Sequence, residues 1–455
     1  MNDQHSKYPF SMEEWQICLK VLTHLKEQPL ENPDNLAFSG LISKIYKKAK
    51  KLNRSHSFSE KRIQDLSCSQ KSNIAQTALS GRMYYTHQDN PQSYSPLCIP
   101  KSCYCCQRKY TLLHSFYSRL CPNCAELNYQ QRKKSVDLSG RYAIVTGGRV
   151  KIGYATTLKL LRSGTYVVIT TRFPALLLEQ LQQEKDYAIW QNKYYIYGLD
   201  LRNLSSIYTF IEFYRNNFLS LDIIINNAAQ TIRYPDSYYL PLIEREQYLL
   251  TTETVPKNLI ENTTAITSHT PNIPYFSIPK PISQLTRFGQ PVDERDKNSW
   301  NSKLDEIELE ELLEVNLINH IAPYILIKEL KSLLVQSQFN ERFIINVTSS
   351  EGIFSYTNKT IHHPHTNMTK AALNMMTLTS AQEFAKDQIY MCAVDVGWVS
   401  TGVNENLRKQ QFAQGYIPPL DPVDGASRIL HPIIQGLNGE YLYGILLKNY
   451  KIHTW

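Results

Sequence analysis

From Gly140 onward the sequence alternates between short β-rich runs and helical stretches, and this rhythm limits the fold more than any other feature. YAIVT is followed by a helical stretch over residues 152–162, and YVVIT by one over 174–184. KYYIYGLDL precedes a helix over 205–217, and LDIIINN, FIINVTS and MCAVDVGW follow in turn. Apolar strands separated by amphipathic helices are the pattern of a doubly wound, mostly parallel α/β sheet with both faces covered. One segment breaks the rhythm. Residues 234–298 are rich in Pro, Thr, Asn and Tyr with little periodicity, and read as an insertion beside the substrate mouth.

At 455 residues the chain is too long for one ordinary core. Its N-terminal third has a different texture. Met12, Trp15, Leu19, Leu22 and Leu25 stand at helical spacing, and a second helix is expected after Pro33, with Leu36, Leu41 and Ile45 on one face and lysines on the other. The stretch from 53 to about 96 is polar and reads as weak helix and loop. Residues 1–136 hold 20 Lys and Arg against 10 Asp and Glu, whereas the remainder holds 29 against 31. All of the excess positive charge therefore lies in this third, which suits a protein or nucleic-acid partner or a merely solvated basic face. No apolar run approaches the ~20 residues that cross a bilayer, so no membrane partner is expected. The N-terminus lacks the basic head and apolar stretch of a secretory signal.

Four of the nine cysteines fall into two CxxC knuckles, Cys103-x-x-Cys106 and Cys121-x-x-Cys124. This spacing can wrap one tetrahedral ion in four thiolates, and a structural zinc is expected. Cys105 could stand in for Cys103 or Cys106. Free thiols and a metal knuckle suit a reducing, cytoplasmic setting. The expected organisation is a helical basic segment over 1–97, a four-cysteine zinc unit over 98–136 and an α/β domain over 137–455.

After YAIVT comes TGGRVKIGYA, Thr146 to Ala155. Glycines between a strand and a helix let backbone approach a pyrophosphate at the helix N-terminus. The segment resembles the short-chain dehydrogenase/reductase family, whose loop reads TGxxxGxG. Thr146, Gly147 and Gly153 match, and Lys151 replaces the middle glycine. LDIIINNAA resembles the family's LDxxxNNAG through Asn226, Asn227 and Ala228. NVTS with Gly352, Asn316 in EVNLINH, and VGWVST (for PGxVxT) extend the likeness from about residue 137 to the end. The resemblance implies a Rossmann-type sheet carrying the helical and zinc-knuckle extension. It also implies a dinucleotide site at Thr146, Gly147, Arg149, Lys151, Ile152, Gly153, Arg172, Asp200, Leu201, Asn227, Ala228 and Lys370. Arg172 ends the second strand where an acidic residue would select NAD, so NADP(H) is the expected cofactor.

The same resemblance implies hydride transfer to or from a carbonyl or alcohol substrate, with Ser349, Asn316 and Lys370 at family catalytic positions. The family's tyrosine, four residues before the lysine, is here Thr366. An aliphatic hydroxyl titrates far above the working range and cannot replace a phenol as acid/base. Tyr356 is the first substitute to consider. His365 is the second, in a cluster with His362 and His363. Two readings stay open: an NADP(H)-dependent oxidoreductase with a displaced acid/base, or a dinucleotide-binding protein without turnover. The sequence names no substrate and leaves room for a homo-oligomer.

Overall fold

The structure, a computed structural model, describes residues 8–79, 93–252, 256–260, 285–286, 288–356, 359–399 and 405–455. Most of the middle of the expected insertion, and Ser400 and Thr401 of VGWVST, lie outside these. The chain divides into two compact units, Met1–Asp65 and Leu66–Trp455. In the first, the helix Met12–Glu27 starts at Ser11, whose hydroxyl accepts from the Glu14 amide (3.1 Å) while Glu14 accepts from the Ser11 amide (2.7 Å). This reciprocal cap satisfies two amides that a helix start would otherwise leave open. The next helix, Asn35–Gln70, runs into the polar stretch expected to be weak helix and loop. Among the described residues no helix is long and apolar enough to cross a membrane.

In the second unit β1 (Tyr94–Ser102) and β2 (Lys109–His114) form an antiparallel hairpin. The main sheet holds β3 (Tyr142–Thr146), β4 (Tyr166–Thr171), β5 (Tyr194–Gly198), β6 (Ile223–Asn226), β7 (Leu259–Ile260), β8 (Arg342–Thr348), β9 (Ile389–Asp395), β10 (Leu446–Lys448) and β11 (Lys451–His453). Their order is β11-β10-β9-β8-β6-β3-β4-β5-β7, parallel except for the β10–β11 pair. The order reverses at β3, between β4 and β6. This is the switch point at which a doubly wound sheet opens a crevice at the carboxyl ends of its strands.

The strands read as continuous apolar runs because both faces are buried. Successive side chains serve opposite faces. Ala143, Val145, Ile223, Ile225, Phe343 and Ile345 join a core with the helices Lys151–Arg162 and Pro422–Leu437. Ile144, Ile224 and Ile344 join the other, under the helices Leu204–Asn217 and Ala322–Val335. Each fully buried valine, isoleucine or phenylalanine among them is worth roughly 1.5–3 kcal/mol over exposure.

The compact units are drawn differently from the expected three segments: the division falls after Asp65, and the cysteine unit lies in the same compact body as the sheet. The reason is a shared core, in which Phe116, Tyr117 and Leu120 pack with Val399 and Leu420, and a buried Arg132–Asp421 pair at 2.5 and 2.7 Å. The insertion is ordered in the parts that are described. It opens with the helix Asp236–Thr252, which buries Leu242, Ile243, Glu246 and Leu249. Glu246 accepts from the amides of Ala175 (2.6 Å) and Leu176 (2.9 Å), satisfying the start of the helix Pro174–Gln182. Pro241 and the tyrosines disguised that helix's period.

Candidate functional site

At the switch point the ends of β3 and β6 are laced together. The Thr146 hydroxyl accepts from the Asn227 and Ala228 amides, both at 3.0 Å, and the Asn227 side-chain amide donates to the carbonyls of Thr146 (2.9 Å) and Gly147 (3.2 Å). Glycine is required in the turn. A Cβ on Gly153 would stand 2.2 Å from the Gly147 carbonyl oxygen, and Gly147 has φ +65°. Lys151 takes φ +51°, so it adopts the left-handed conformation that the family's glycine would supply. That conformation is uncommon for a residue with a Cβ and is held by the surrounding loop.

A cavity of about 350 Å³ opens above this turn. Of the residues expected to bind cofactor, Gly147, Arg149, Lys151, Ile152, Gly153, Arg172, Asp200, Leu201, Asn227 and Ala228 line it. Thr146 and Lys370 do not. Arg172 lies with its guanidinium 4.5 Å from the Tyr239 ring centroid. Burial alone would raise the Asp200 carboxyl, but hydrogen bonds from Arg202, at 3.0 Å from its Nε, hold it below the usual carboxylate range. The glycine cradle, the helix start and the cationic rim fit a dinucleotide phosphate group.

The insertion contributes to this cleft rather than to a separate mouth. Tyr238, Tyr239, Gln290 and Pro291 line it. Arg149 Nη1 donates to the Gly289 carbonyl at 3.1 Å, and the Lys151 ammonium sits 5.5 Å from the Phe288 ring centroid. Tyr238 donates its hydroxyl to the Pro291 carbonyl at 2.9 Å. These contributors escaped the sequence reading, because tyrosines in an aperiodic stretch carry no mark of the strand they return to.

The expected catalytic residues lie outside the lining of this cavity. Ser349 follows β8 and is half-buried. Asn316 donates to the Leu312 carbonyl at 2.6 Å, where its helix widens into the π turn Leu317–Ile321. Such widenings frequently mark functional sites. Lys370 is buried, and its ammonium donates to the Val347 carbonyl at 2.8 Å. Loss of hydration, opposed by Glu351, brings its pKa down to about 8. The Thr366 hydroxyl is buried and finds no hydrogen-bond partner among the described residues. Tyr356 does not reach into the cleft. It is 38% exposed, with the Lys448 ammonium 5.0 Å from its ring centroid.

The histidines divide. His363 stacks on Trp300 (4.5 Å, 16°), contacts the Trp300 carbonyl through Nδ1 at 2.7 Å, and is pushed below its ordinary pKa by burial. His365 Nε2 lies 2.8 Å from the Thr231 carbonyl. A carbonyl only accepts, so Nε2 carries the proton and Nδ1 is left as a buried acceptor without a partner among the described residues. Asn319, not singled out from sequence, ties the loop at Gln230 to Thr369 through bonds of 2.8, 2.9 and 3.0 Å.

The sulfurs of Cys103, Cys106, Cys121 and Cys124 all lie within 4.8 Å of one another. A tetrahedron with ~2.3 Å metal–sulfur bonds has edges of about 3.8 Å, and the Cys106–Cys121 separation is 3.7 Å. The donor set fits one zinc-type ion. Cys105 is not one of the four: its thiol contacts Asn449 at 3.4 Å, and its hydrogen bond with Cys103 is the first cause that pushes its thiol up to about 12.

The sequence matches the family described as short chain dehydrogenase over residues 141–241 and 297–411. It is 32% identical over 347 residues to an uncharacterized protein of Acanthamoeba polyphaga mimivirus, covering 73% of this chain and 71% of that one. The chain belongs to the short-chain dehydrogenase family. Members of this family are NAD(P)-dependent oxidoreductases of carbonyl and alcohol substrates. The break in the family match, at 242–296, coincides with the insertion that walls the cleft. A (+)-neomenthol dehydrogenase of Capsicum annuum is 35% identical over 92 residues, 20% of this short-chain dehydrogenase and 29% of that enzyme. The likeness to that dehydrogenase therefore spans under a third of its length. Among solved structures, an NADPH-bound carbonyl reductase from chicken fatty liver shows 19% identity and a TM-score of 0.42, covering 70% of this chain and 100% of that one.

Proposed function

We propose that this short-chain dehydrogenase uses NADP(H) to reduce or oxidise a carbonyl/alcohol substrate. The carrying observation is Arg172, which follows β4 at the cleft and leans on Tyr239, with no carboxylate in its own segment VVITTRF. Arg149 and Lys151 add positive charge in the phosphate loop. The cofactor, when bound, supplies or accepts hydride. Gly147 and Gly153 would let its phosphates approach the backbone closely, and Lys370, at the family's lysine position, would serve its ribose once released from the Val347 carbonyl. Losing one charge-assisted hydrogen bond costs roughly 1.5–3 kcal/mol. Arg172→Ala is therefore expected to weaken NADPH binding about ten-fold or more and to leave NADH binding nearly unchanged. Titration of both cofactors by fluorescence decides it, and an equal loss for both would place Arg172 away from the 2′-phosphate.

Thr366 holds the family tyrosine's place without its chemistry. Thr366→Val keeps the shape and removes only a hydroxyl with no partner among the described residues. It is expected to retain most of any turnover, and to be slightly stabilising, since an unsatisfied buried polar group is lost. Abolished turnover with intact NADPH binding in that variant would make Thr366 essential. The proton then has to pass through a group that titrates near the working pH. Lys370 meets that condition at about 8, while Tyr356 sits under Lys448 and His365 is sealed against Thr231.

A second reading, dinucleotide binding without turnover, is favoured by the engagement of Arg149 by Gly289 and of Lys370 by Val347. NADPH binding together with failure across a broad carbonyl and alcohol screen would move it into first place. In both readings the four knuckle thiolates hold a structural zinc, and the basic N-terminal helices offer a surface for an anionic protein or nucleic-acid partner.

A further inference from the structure

The cysteine unit meets the rim of the cleft at Ile152, which lines the cavity and packs on the unit's core. Tyr104 stands between the ligand-type residues Cys103 and Cys106, and its amide donates to the Arg119 carbonyl at 3.0 Å, joining the two knuckles. The Tyr104 hydroxyl accepts from the Trp398 amide at 2.8 Å. The Arg119 guanidinium lies 4.9 Å from the Trp398 ring centroid. Gly397 has φ +79°, and a Cβ there would meet Leu420 at 2.6 Å and the Tyr104 hydroxyl at 3.4 Å. Val399, 3% exposed, is buried in the same core as Cys103 and Cys121. Residues 397–399 are thus seated on the knuckle. They leave the carboxyl end of β9, the edge at which a doubly wound sheet binds its ligands.

We propose that the four-cysteine unit is a metal-dependent clamp on this rim. Ion binding by the four thiolates fixes Tyr104 and Arg119, these hold residues 397–399, and cofactor affinity depends on metal occupancy through that contact. The inference rests on the zinc and NADP(H) readings above. The ion adds to the order that the apolar core gives this knuckle, so the loop seated on it loses part of its support when the metal leaves. Linkage makes the effect mutual: the factor by which metal tightens the cofactor is the factor by which cofactor tightens the metal. Tyr104 is a positioning residue, acting through Trp398.

The test uses the full chain loaded with zinc, the same chain after chelation, and Tyr104→Phe, which keeps all four thiolates. Hydrogen exchange at the Trp398 amide, zinc content and NADPH affinity are measured on each. Tyr104→Phe is expected to retain one zinc per chain, to exchange at Trp398 about ten-fold faster, and to bind NADPH several-fold more weakly. Chelation is expected to reproduce both losses in the wild type, with little further loss in Tyr104→Phe. A Tyr104→Phe chain with wild-type exchange and affinity overturns the clamp. Faster exchange with unchanged NADPH affinity overturns its link to the cleft. A wild type that binds no NADPH, yet exchanges in a metal-dependent way, overturns the cofactor reading and leaves the clamp on the loop standing. A wild type holding no zinc sinks the metal reading and the proposal together.

Discussion

Lys370→Met is expected to lower turnover about 10²-fold or more and to weaken NADPH binding at the same time. The ammonium is buried, donates to the Val347 carbonyl at 2.8 Å, and follows Thr366 by one helical turn. Methionine keeps the length and apolar bulk of the side chain and removes the charge and its donors. Positioned proton transfer is worth roughly 10²–10⁴-fold, and no phenol stands at residue 366 to take over the task. Steady-state kinetics with a NADPH titration separates the two losses. Unchanged turnover in Lys370→Met would remove this lysine from the chemistry.

The same group makes the stability depend on pH. Its folded pKa, about 8, lies below the ordinary lysine value of 10.5 because burial disfavours the charge. Between those values the unfolded chain binds more protons than the folded one, so stability rises with pH across that window. Below about 8 both states are protonated, and the full cost of burying the ammonium is present. The shift corresponds to a gain on the order of 3 kcal/mol between about pH 8 and 10.5. Lys159, also lowered to about 8 by burial, contributes with the same sign. The difference between wild type and Lys370→Met therefore isolates Lys370. Denaturant melts at pH 7.5 and 10 should show the variant gaining less from alkalinity than the wild type. Parallel gains would mean that Lys370 reaches solvent.

The parallel strands and the phosphate turn were legible in sequence because they are local. Ile144 and Val145, or Ile224 and Ile225, must serve opposite faces of a doubly covered sheet, and a glycine at 153 announces a close backbone approach. Lys151 was harder to read, because its Cβ suggested obstruction where the backbone simply adopts φ +51°. The docking of the cysteine unit was not legible at all. Arg132 and Asp421 are 289 residues apart, and nothing in either neighbourhood names the other. Tyr356 lies seven residues after Ser349 in sequence, but β10 arrives from far along the chain and offers Lys448 to its ring. The helix Asp236–Thr252 was hidden by Pro241, although Leu242, Glu246 and Leu249 keep the helical interval.

Replacing Cys121 by serine should remove the metal and destabilise the chain, whereas Cys105→Ser should do neither. The two cysteines differ in what they face. Cys121 is buried within the four-sulfur cluster, 3.7 Å from the Cys106 sulfur, while Cys105 stands beside that cluster, hydrogen-bonded to Cys103 and to Asn449. Structural zinc binds zinc-finger peptides with an apparent ~10–16 kcal/mol, and that binding energy is folding energy. Only part of it need appear here, because Phe116, Tyr117 and Leu120 also bury apolar surface in the unit and Arg132 pairs with Asp421. A loss of several kcal/mol is still expected, enough to lower Tm by more than about 5 °C in a body of this size. Elemental analysis of protein purified without chelator should give one zinc per chain in the wild type and in Cys105→Ser, and well under one in Cys121→Ser. The Tm of Cys121→Ser should no longer respond to added chelator, since the ion it would extract is already gone. Zinc lost from Cys105→Ser instead would exchange the ligand assignment. A wild type free of zinc, with a Tm indifferent to Cys121→Ser, would leave the knuckle held by its apolar core alone.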